Sequence, residues 1–518
     1  MKFIIGCVLT VLLCSQNVVD GYNILGVFHT TGKSHYILGA ALMKGLAEAG
    51  HNVTIVAPFR HPDPLPNMKE AVITTLPFID VSKQFLRDDP KNFISQIHDF
   101  IDLLINMTEL FFKDPAFVDL MERREKYDVI ITEIFLTDCL LGIGKHFDAP
   151  IIGFSTFGAS KWNTDLNGSP SPPSYVPNVN FAYSDRMNFM QRTLNLIMIG
   201  FEEIYWGWYF HNKQAELYNK HFPDPKPSLH EVKSTHVSLV LLNSHFSLSQ
   251  PRPYLPNMIE IGGFHVNKKP KALPQDLQEF LDSATNGVIY FSMGSNLKSS
   301  DFKETKRDAL LNAFRKLPVK VMWKWEDDSL PGKPDNVLIR KWFPQDDILA
   351  HPNVRIFITH GGLLSTMESM YHGVPVIGIP IFADQHQNIG KAVRVGYGLT
   401  VSFAELNEEN IFNAINEMLT NPKYMQTAKT ISARFRDQPE DPMDRAVYWV
   451  EYVARHKGAK HLISGGQELN FVKYHNLDVF ALLLAIPVLI LLGIRCICRK
   501  IFCRRSHKKT SKGSKKTD

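Results

Sequence analysis

The residues whose spacing carries the most chemistry lie within positions 342–388. Trp342-Phe343-Pro344-Gln345 is followed by Phe357-Ile358-Thr359-His360-Gly361-Gly362, by Ser365 and Glu368, and by Gly373-Val374-Pro375, Asp384-Gln385 and Asn388. An apolar strand over 355–359 runs into a glycine pair and then into a helix beginning near Leu364. The free N–H groups and positive dipole end of such a helix start suit a diphosphate. His360 sits where it can add a hydrogen bond to that charge. Glu368, one turn in, can accept from ribose hydroxyls, and Trp342 offers a flat face for a base to stack on. On these residues alone, a nucleotide site and a purely structural glycine turn are equally good readings. No metal is implied: the 20 His residues show no HExxH or Cys/His ligand spacing, and no DxD-type acidic pair adjoins the motif.

Strand ends and helix starts must hold such a set in place, and the chain supplies them twice. Residues 23–28 (NILGVF) form an apolar run, and a polar loop holds His29 to His35. A helical pattern over 36–49 puts Leu38, Leu42, Leu46 and Ala49 on one stripe, ended by Gly50. Residues 53–57 (VTIVA) make the next short strand, so a βαβ unit begins whose natural continuation is a doubly wound parallel sheet. Strands at 128–132 and 150–154 extend it. Helix-rich stretches at 93–125 and 186–221, the second carrying Phe201, Tyr205, Trp206, Trp208, Tyr209 and Phe210, read either as walls of an apolar cavity or as plain core packing.

Pro-rich punctuation over 250–274 precedes a second α/β alternation that starts at 287–292 (GVIYFS). It continues with strands near 319–323, 337–339, 355–359 and 375–378. The expected fold class is therefore α/β, two Rossmann-like domains over 22–250 and 287–435, joined by a linker over 251–286 and facing a cleft at the carboxyl ends of their strands. Residues 436–476 are expected to hold C-terminal helices that return to the first domain and a juxtamembrane segment.

Residues 1–21 have the charged, apolar and small-residue order of a secretory signal peptide. From Val479 to Ile494 there is no charge, and with Arg495 snorkelling, a transmembrane helix over 477–498 is expected. The formal net charge is +5, but residues 495–518 hold ten Lys/Arg against one Asp, leaving 47 basic and 51 acidic side chains elsewhere. A basic nucleic-acid-binding face has no support from these numbers. The positive-inside rule makes residues 499–518 a cytosolic tail and places the body on the far side, as a single-pass type I protein. Lys515 and Lys516, three and four from the end, resemble the dilysine address of the endoplasmic reticulum. Cys139 is the one cysteine of the lumenal body, so no intrachain disulfide is expected there. Asn52, Asn106 and Asn167 stand in glycosylation sequons; Asn52 falls in an expected buried strand and Pro170 follows the Asn167 sequon.

The segment 342–388 resembles the donor-binding signature of UDP-glycosyltransferases. The likeness continues through Asp437-Gln438-Pro439, Met443-Asp444-Arg445-Ala446 and Arg455-His456-Lys457-Gly458-Ala459-Lys460-His461, runs that look like the membrane-bound animal members. This resemblance implies a GT-B fold, with acceptor on the N-terminal domain and UDP-sugar on the C-terminal one. It assigns Trp342 to the uracil, Gln345 to base or ribose, and Glu368 to ribose. Ser295, His360, Gly362 and Ser365 would bind the diphosphate, and Asp384 and Gln385 the sugar hydroxyls. Leu364 departs from the Asn found there in many members. His35 matches the catalytic histidine, with His29 ranked well below it. Its carboxylate partner is Glu133 or Asp138; Glu133 aligns without a gap, while residue type and an insect-like spacing favour Asp138.

The expected activity is inverting transfer of a hexose, glucose favoured, to a hydroxyl of small lipophilic acceptors such as phenols, steroids, xenobiotics or pigments. It needs no cofactor beyond the UDP-sugar co-substrate, and homo- or hetero-oligomers are allowed. A non-catalytic carrier of lipophilic ligands is the rival reading, opposed by the joint presence of His35, His360, Glu368 and Asp384-Gln385. A nucleotide-dependent oxidoreductase fails on the lack of GxGxxG after the first strand.

Overall fold

A computed structural model describes residues 21–77, 93–123, 125–224 and 226–510 of the chain. The expected signal peptide up to residue 20 and the dilysine at 515 and 516 lie outside the described residues. Short apolar runs form the strands because they are buried on both faces, as in parallel sheets covered by helices. In β1 (Asn23–Val27), Ile24 faces one core while Leu25 and Val27 face the other. With β2 (Asn52–Ala57), β3 (Met68–Val72), β4 (Val129–Glu133), β5 (Ile151–Ser155), β6 (Val237–Leu242) and β7 (Met258–Glu260) it builds a parallel sheet in the order β3-β2-β1-β4-β5-β6-β7. A second parallel sheet has the order β10-β9-β8-β11-β12-β13. Its strands are β8 (Val288–Ser292), β9 (Lys320–Lys324), β10 (Val337–Arg340), β11 (Val354–Thr359), β12 (Val376–Gly378) and β13 (Gly398–Thr400).

Both sheets have the strand-order reversal that opens a crevice at the carboxyl ends. Helix α1 (Lys33–Glu48) follows β1 and begins three residues earlier than the apolar stripe suggests, because Lys33, Ser34 and His35 carry no hydrophobic signal. Helices α2 (Phe93–Lys113) and α3 (Pro115–Arg123) form the first expected helical insert. The second consists of α4 (Phe189–Tyr205), a π turn over Trp206–Phe210, and α5 (His211–His221). The 251–286 stretch read as a linker carries β7, which adds the edge strand of the first sheet, and a helix over Gln275–Asp282.

In the second lobe, α6 (Leu363–His372) follows β11 and α7 (Gln385–Val395) follows β12. Helix α8 (Pro442–Arg455) starts at an Asp441 cap that accepts from Met443 N at 2.8 Å. It leaves the second lobe and buries Ala446, Val450 and Val453 in the core of the first. Arg445 Nη1 donates to Glu260 O at the end of β7, 2.9 Å away.

The segment from Ser464 onward is a separate unit that contains α9 (Leu477–Thr510). Within α9, Leu477–Ile501 is the one stretch among the described residues long and apolar enough to cross a membrane, and it fits membrane anchoring. Of the sequons, Asn167 is buried with Nδ2 donating to Asn257 O at 3.0 Å, whereas Asn52 and Asn106 are exposed. The strand that Asn52 opens is buried as expected from Val53 to Ala57, while Asn52 itself is exposed at its start.

Candidate active site

Between the two sheets lies a cavity of about 820 Å³ lined by His35, Ser295, Trp342, Gln345, His360, Gly362, Ser365, Glu368, Asp384 and Gln385. On the first-lobe side, His35 projects from the opening turn of α1 and its Nδ1 bonds Glu133 Oε1, at the carboxyl end of β4. Glu133 is sealed: Thr30 Oγ1 donates to Oε2 at 3.2 Å and Thr156 Oγ1 to Oε1 at 3.2 Å. Thr156 Oγ1 also lies 3.1 Å from His35 Nδ1. The imidazole is held edge-to-face by Phe135 and Phe157, with ring centroids 4.9 and 5.3 Å away. Burial pushes the Glu133 carboxyl up, but the charge and hydrogen bond of His35, aided by the hydrogen bond from Thr156, outweigh it and hold the group below its ordinary value.

Asp138 is not the partner of His35. It opens a 3-10 turn whose carboxylate Oδ2 takes Lys233 Nζ at 2.5 Å and His211 Nδ1 at 3.3 Å, and it does not line the cavity. Between the two acids, in the loop after β4, Leu136 adopts φ 54°. His29 sits at the β1 end with Nδ1 3.9 Å from Glu133 Oε2. Burial lowers its pKa to about 4, against the pull of Glu133, so it stays neutral.

On the second-lobe side, Gly362 caps α6 without a side-chain bond across its first turn. His360 packs where two glycines leave space: a Cβ on Gly294 would come within 2.4 Å of its Cε1, and one on Gly362 within 2.6 Å of its Nε2. Gly294 also has φ +80°, which disfavours any side chain. Burial, with Lys324 nearby, lowers the His360 pKa to about 4, and its Nδ1 has no hydrogen-bond partner among the described residues. A neutral ring can still donate the hydrogen bond expected of His360.

Gln345 Nε2 joins the next pair, donating to Ser365 Oγ at 2.9 Å and to Glu368 Oε2 at 2.6 Å. Burial and the nearby charge of Asp346 push Glu368 up to about 8. Asp384 follows Ala383, held at φ 54°, and accepts from Asn388 Nδ2 at 2.8 Å. Burial raises its pKa to about 6, against the bond from Asn388 and the charge of His35 across the cleft. Gln385 Oε1 accepts from Ile381 N and Phe382 N at 2.8 and 3.1 Å, which turns its NH₂ away from those backbone groups.

Trp342 is 49% exposed, and Lys33 of α1 places Nζ 3.8 Å from its ring centroid. Sequence reasoning missed Lys33, whose only signal is its position two residues before His35, and missed Thr30 and Thr156, whose partner is 103 residues away from the first of them. Among the described residues no cluster of His, Cys, Asp or Glu could hold a metal ion.

Two Rossmann-like sheets facing one cavity are the architecture of GT-B glycosyltransferases. The chain is similar to the solved glycotransferase of kitacinnamycin (TM-score 0.55, 16% identity, 83% of this chain and 98% of that one). It is likewise similar to CalG4, the calicheamicin glycosyltransferase (TM-score 0.56, 16% identity, 84% and 99%). Residues 24–513 match the family described as "UDP-glucoronosyl and UDP-glucosyl transferase", and the chain belongs to it. It is 40% identical over 517 residues to UDP-glycosyltransferase UGT5 of Dactylopius coccus, covering 96% of this chain and 97% of that one. It is 35% identical over 511 residues to UDP-glucosyltransferase 2 of the same insect, at 96% coverage of each. Human UDP-glucuronosyltransferase 2B15 is 32% identical over 508 residues, covering 94% of each chain. The protein is thus a UDP-sugar-dependent glycosyltransferase.

Proposed function

We propose that the enzyme transfers glucose from UDP-glucose, with inversion and without a metal, to a hydroxyl of small lipophilic acceptors. The observation that carries this reading is His35 on the cavity wall, backed by the sealed Glu133, with Asp384 and Gln385 lining the same cavity. With Nδ1–H donated to the carboxylate, Nε2 is the ring atom that accepts a proton. The acceptor's O–H proton passes to Nε2 as its oxygen attacks the anomeric carbon. The bond from that carbon to the β-phosphate oxygen breaks on the opposite face, and UDP leaves with the electron pair. Glu133 orients the ring and offsets its new positive charge, and does not itself take the proton.

The departing diphosphate is met by the helix start at Gly362, by Ser295 and Ser365, and by the neutral His360. Trp342 stacks the uracil, Gln345 reaches base or ribose, Glu368 takes ribose hydroxyls, and Asp384 with Gln385 reads the sugar. Glucose is favoured over glucuronic acid because the 40% and 35% identical relatives are insect proteins, one of them named a glucosyltransferase. An apolar surround of Ile97, Phe100, Leu104, Phe201 and Trp206 suits a lipophilic acceptor. We place the body in the endoplasmic-reticulum lumen as a type I protein, on the basic residues that follow the span. Membranes containing the protein, incubated with a panel of UDP-sugars and phenolic or steroidal acceptors, should yield a glucoside detected by mass spectrometry. UDP binding without any conjugate would refute the enzymatic reading in favour of a carrier.

A further inference from the structure

Helix α4 holds the loop before it with two buried polar residues, Asn195 and Glu202, which stand about two turns apart on one face. Asn195 is fully used in that role: Nδ2 donates to Pro173 O and Val176 O at 2.8 and 2.9 Å, and Oδ1 accepts from Asn178 N at 2.7 Å. Glu202 is only half used. Its Oε2 accepts from Asn178 Nδ2 at 2.7 Å, and Oε1 takes no hydrogen bond from the described residues. Lys161 is the cation whose charge reaches it, and that Nζ is bonded to Asp165 at 2.9 Å and to Glu203. Burial raises the Glu202 carboxyl above its ordinary value, against the bond from Asn178. Holding the loop does not call for an acid here. An amide at 202 would accept the same bond and leave no charge to bury.

Glu202 is 8% exposed, yet it lines the cavity that holds His35, and Oε1 is not sealed. Among the described residues, the other carboxyls that line this cavity are Asp346, Asp347, Glu368 and Asp384, all of the second lobe. Glu202 is therefore the acid of the first-lobe half, set among Ile97, Phe100 and Phe201. We propose that Glu202 binds the acceptor substrate: Oε1 takes a hydrogen bond from a second hydroxyl, while the first gives its proton to His35. The enzyme then selects diphenols and comparable diols over substrates that carry a single hydroxyl. The inference rests on the glycosyltransferase reading of the cavity. A diol finds a partner for each hydroxyl inside an apolar chamber, whereas a substrate without the second hydroxyl leaves the carboxyl buried and lacking a donor.

The test uses two pairs of phenols that differ by one O–H donor: hydroquinone with its monomethyl ether, and the longer para,para′-biphenol with its monomethyl ether. Each is assayed with UDP-glucose and the full chain in detergent, and its binding is followed by calorimetry in saturating UDP. In at least one pair the parent should favour the diol about tenfold or more in both kcat/KM and affinity, well above the factor of about two that a diol gains from having equal hydroxyls. Glu202→Gln should bring that ratio to within about twofold. Asn178 holds the amide oxygen, so the NH₂ replaces Oε1 and the cavity meets a donor where it had an oxygen that accepts. Glu202→Met, which removes the oxygen altogether, is read in the same way, and partition into detergent cancels between parent and variant. A parent ratio below about tenfold in both pairs leaves Glu202 a support for the loop and overturns the proposal. A ratio that survives both substitutions means that another group reads the hydroxyl, and equally overturns it. If no conjugate forms but the binding ratio is present in the parent and lost in the variants, the glucose-transfer reading falls and the acceptor site stands. Binding of UDP with no binding of any of the phenols removes the site itself.

Discussion

Replacing Glu133 by Gln separates the two candidate acids and can be given a magnitude. The side chain is isosteric, and the correct amide orientation is available: its oxygen can accept from His35 Nδ1–H while its NH₂ reaches Thr30 Oγ1, 3.2 Å from the present carboxylate. Geometry is thus retained and the change removes only the charge. Two unit charges about 4 Å apart interact by about 4 kcal/mol at an effective dielectric of about 20. That stabilisation is present when His35 becomes an imidazolium, so kcat should fall by about three decades. UDP affinity, measured by calorimetry, should stay within about twofold, because Glu133 does not line the cavity. Asp138→Asn is the counter-experiment. It weakens a pair with Lys233 and His211 and should cost about 1–3 kcal/mol of stability, with kcat changed by less than about threefold. A folded Glu133→Gln enzyme with kcat within tenfold of the parent, beside an Asp138→Asn enzyme that binds UDP and does not turn over, would refute the pairing.

Proton release gives a second prediction. Glu368 is raised to about 8 in the folded protein, so it holds its proton at pH 7, and the apo form should lose stability as pH rises from the ordinary carboxylate range towards 8. Ribose hydroxyls that donate to the carboxylate would lower that pKa; UDP binding at pH 7, followed by calorimetry in buffers of different ionisation enthalpy, should release up to one proton, and Glu368→Gln should abolish the release. Trp342→Ala should weaken UDP binding by about 1–3 kcal/mol if the base stacks there. Lys33→Ala frees the same ring of a cation worth about 0.5–1 kcal/mol and should tighten UDP about two- to fivefold in titrations. Gly294→Ala forces a Cβ to within 2.4 Å of the His360 ring at φ +80°, and is expected to raise the UDP dissociation constant at least about tenfold while the second lobe stays folded by circular dichroism.

Legibility in the sequence followed locality. The donor motif could be read because its residues sit on one βαβα stretch, where each side chain's place follows from the strand end or helix turn that carries it. Strands β1, β2, β4 and β5 were legible as apolar runs. β3, sequence MKEAV, was not, because an edge strand is half polar, and β7 is only three residues long. The base's partner was misjudged because two acids stand within six residues after the same strand. Glu133 is the last residue of β4, whereas Asp138 opens the 3-10 turn beyond a left-handed Leu136, and a leucine does not announce that conformation. Thr30 and Thr156 were invisible for a related reason: ordinary threonines acquire meaning only when β1, β4 and β5 lie side by side.

Helix α8 has a mechanical consequence. Because it crosses back to bury Ala446, Val450 and Val453 in the first core, the two lobes are joined by two covalent strands of chain, one around 263–274 and one around 436–441. The first crossing is pinned to the second lobe where Asn267 N donates to Asp346 Oδ2 at 2.6 Å and Lys271 N to Asp347 Oδ1 at 2.8 Å. The second is tied back to it by Lys268 on Asp441. Two covalent crossings side by side limit how far the lobes can separate or twist at that end of the cleft. The chain that continues to the span departs from the first lobe, where Leu462 packs on its core. The chain beyond residue 463 is thus covalently continuous with the lobe that carries His35, and reaches the second lobe only through it.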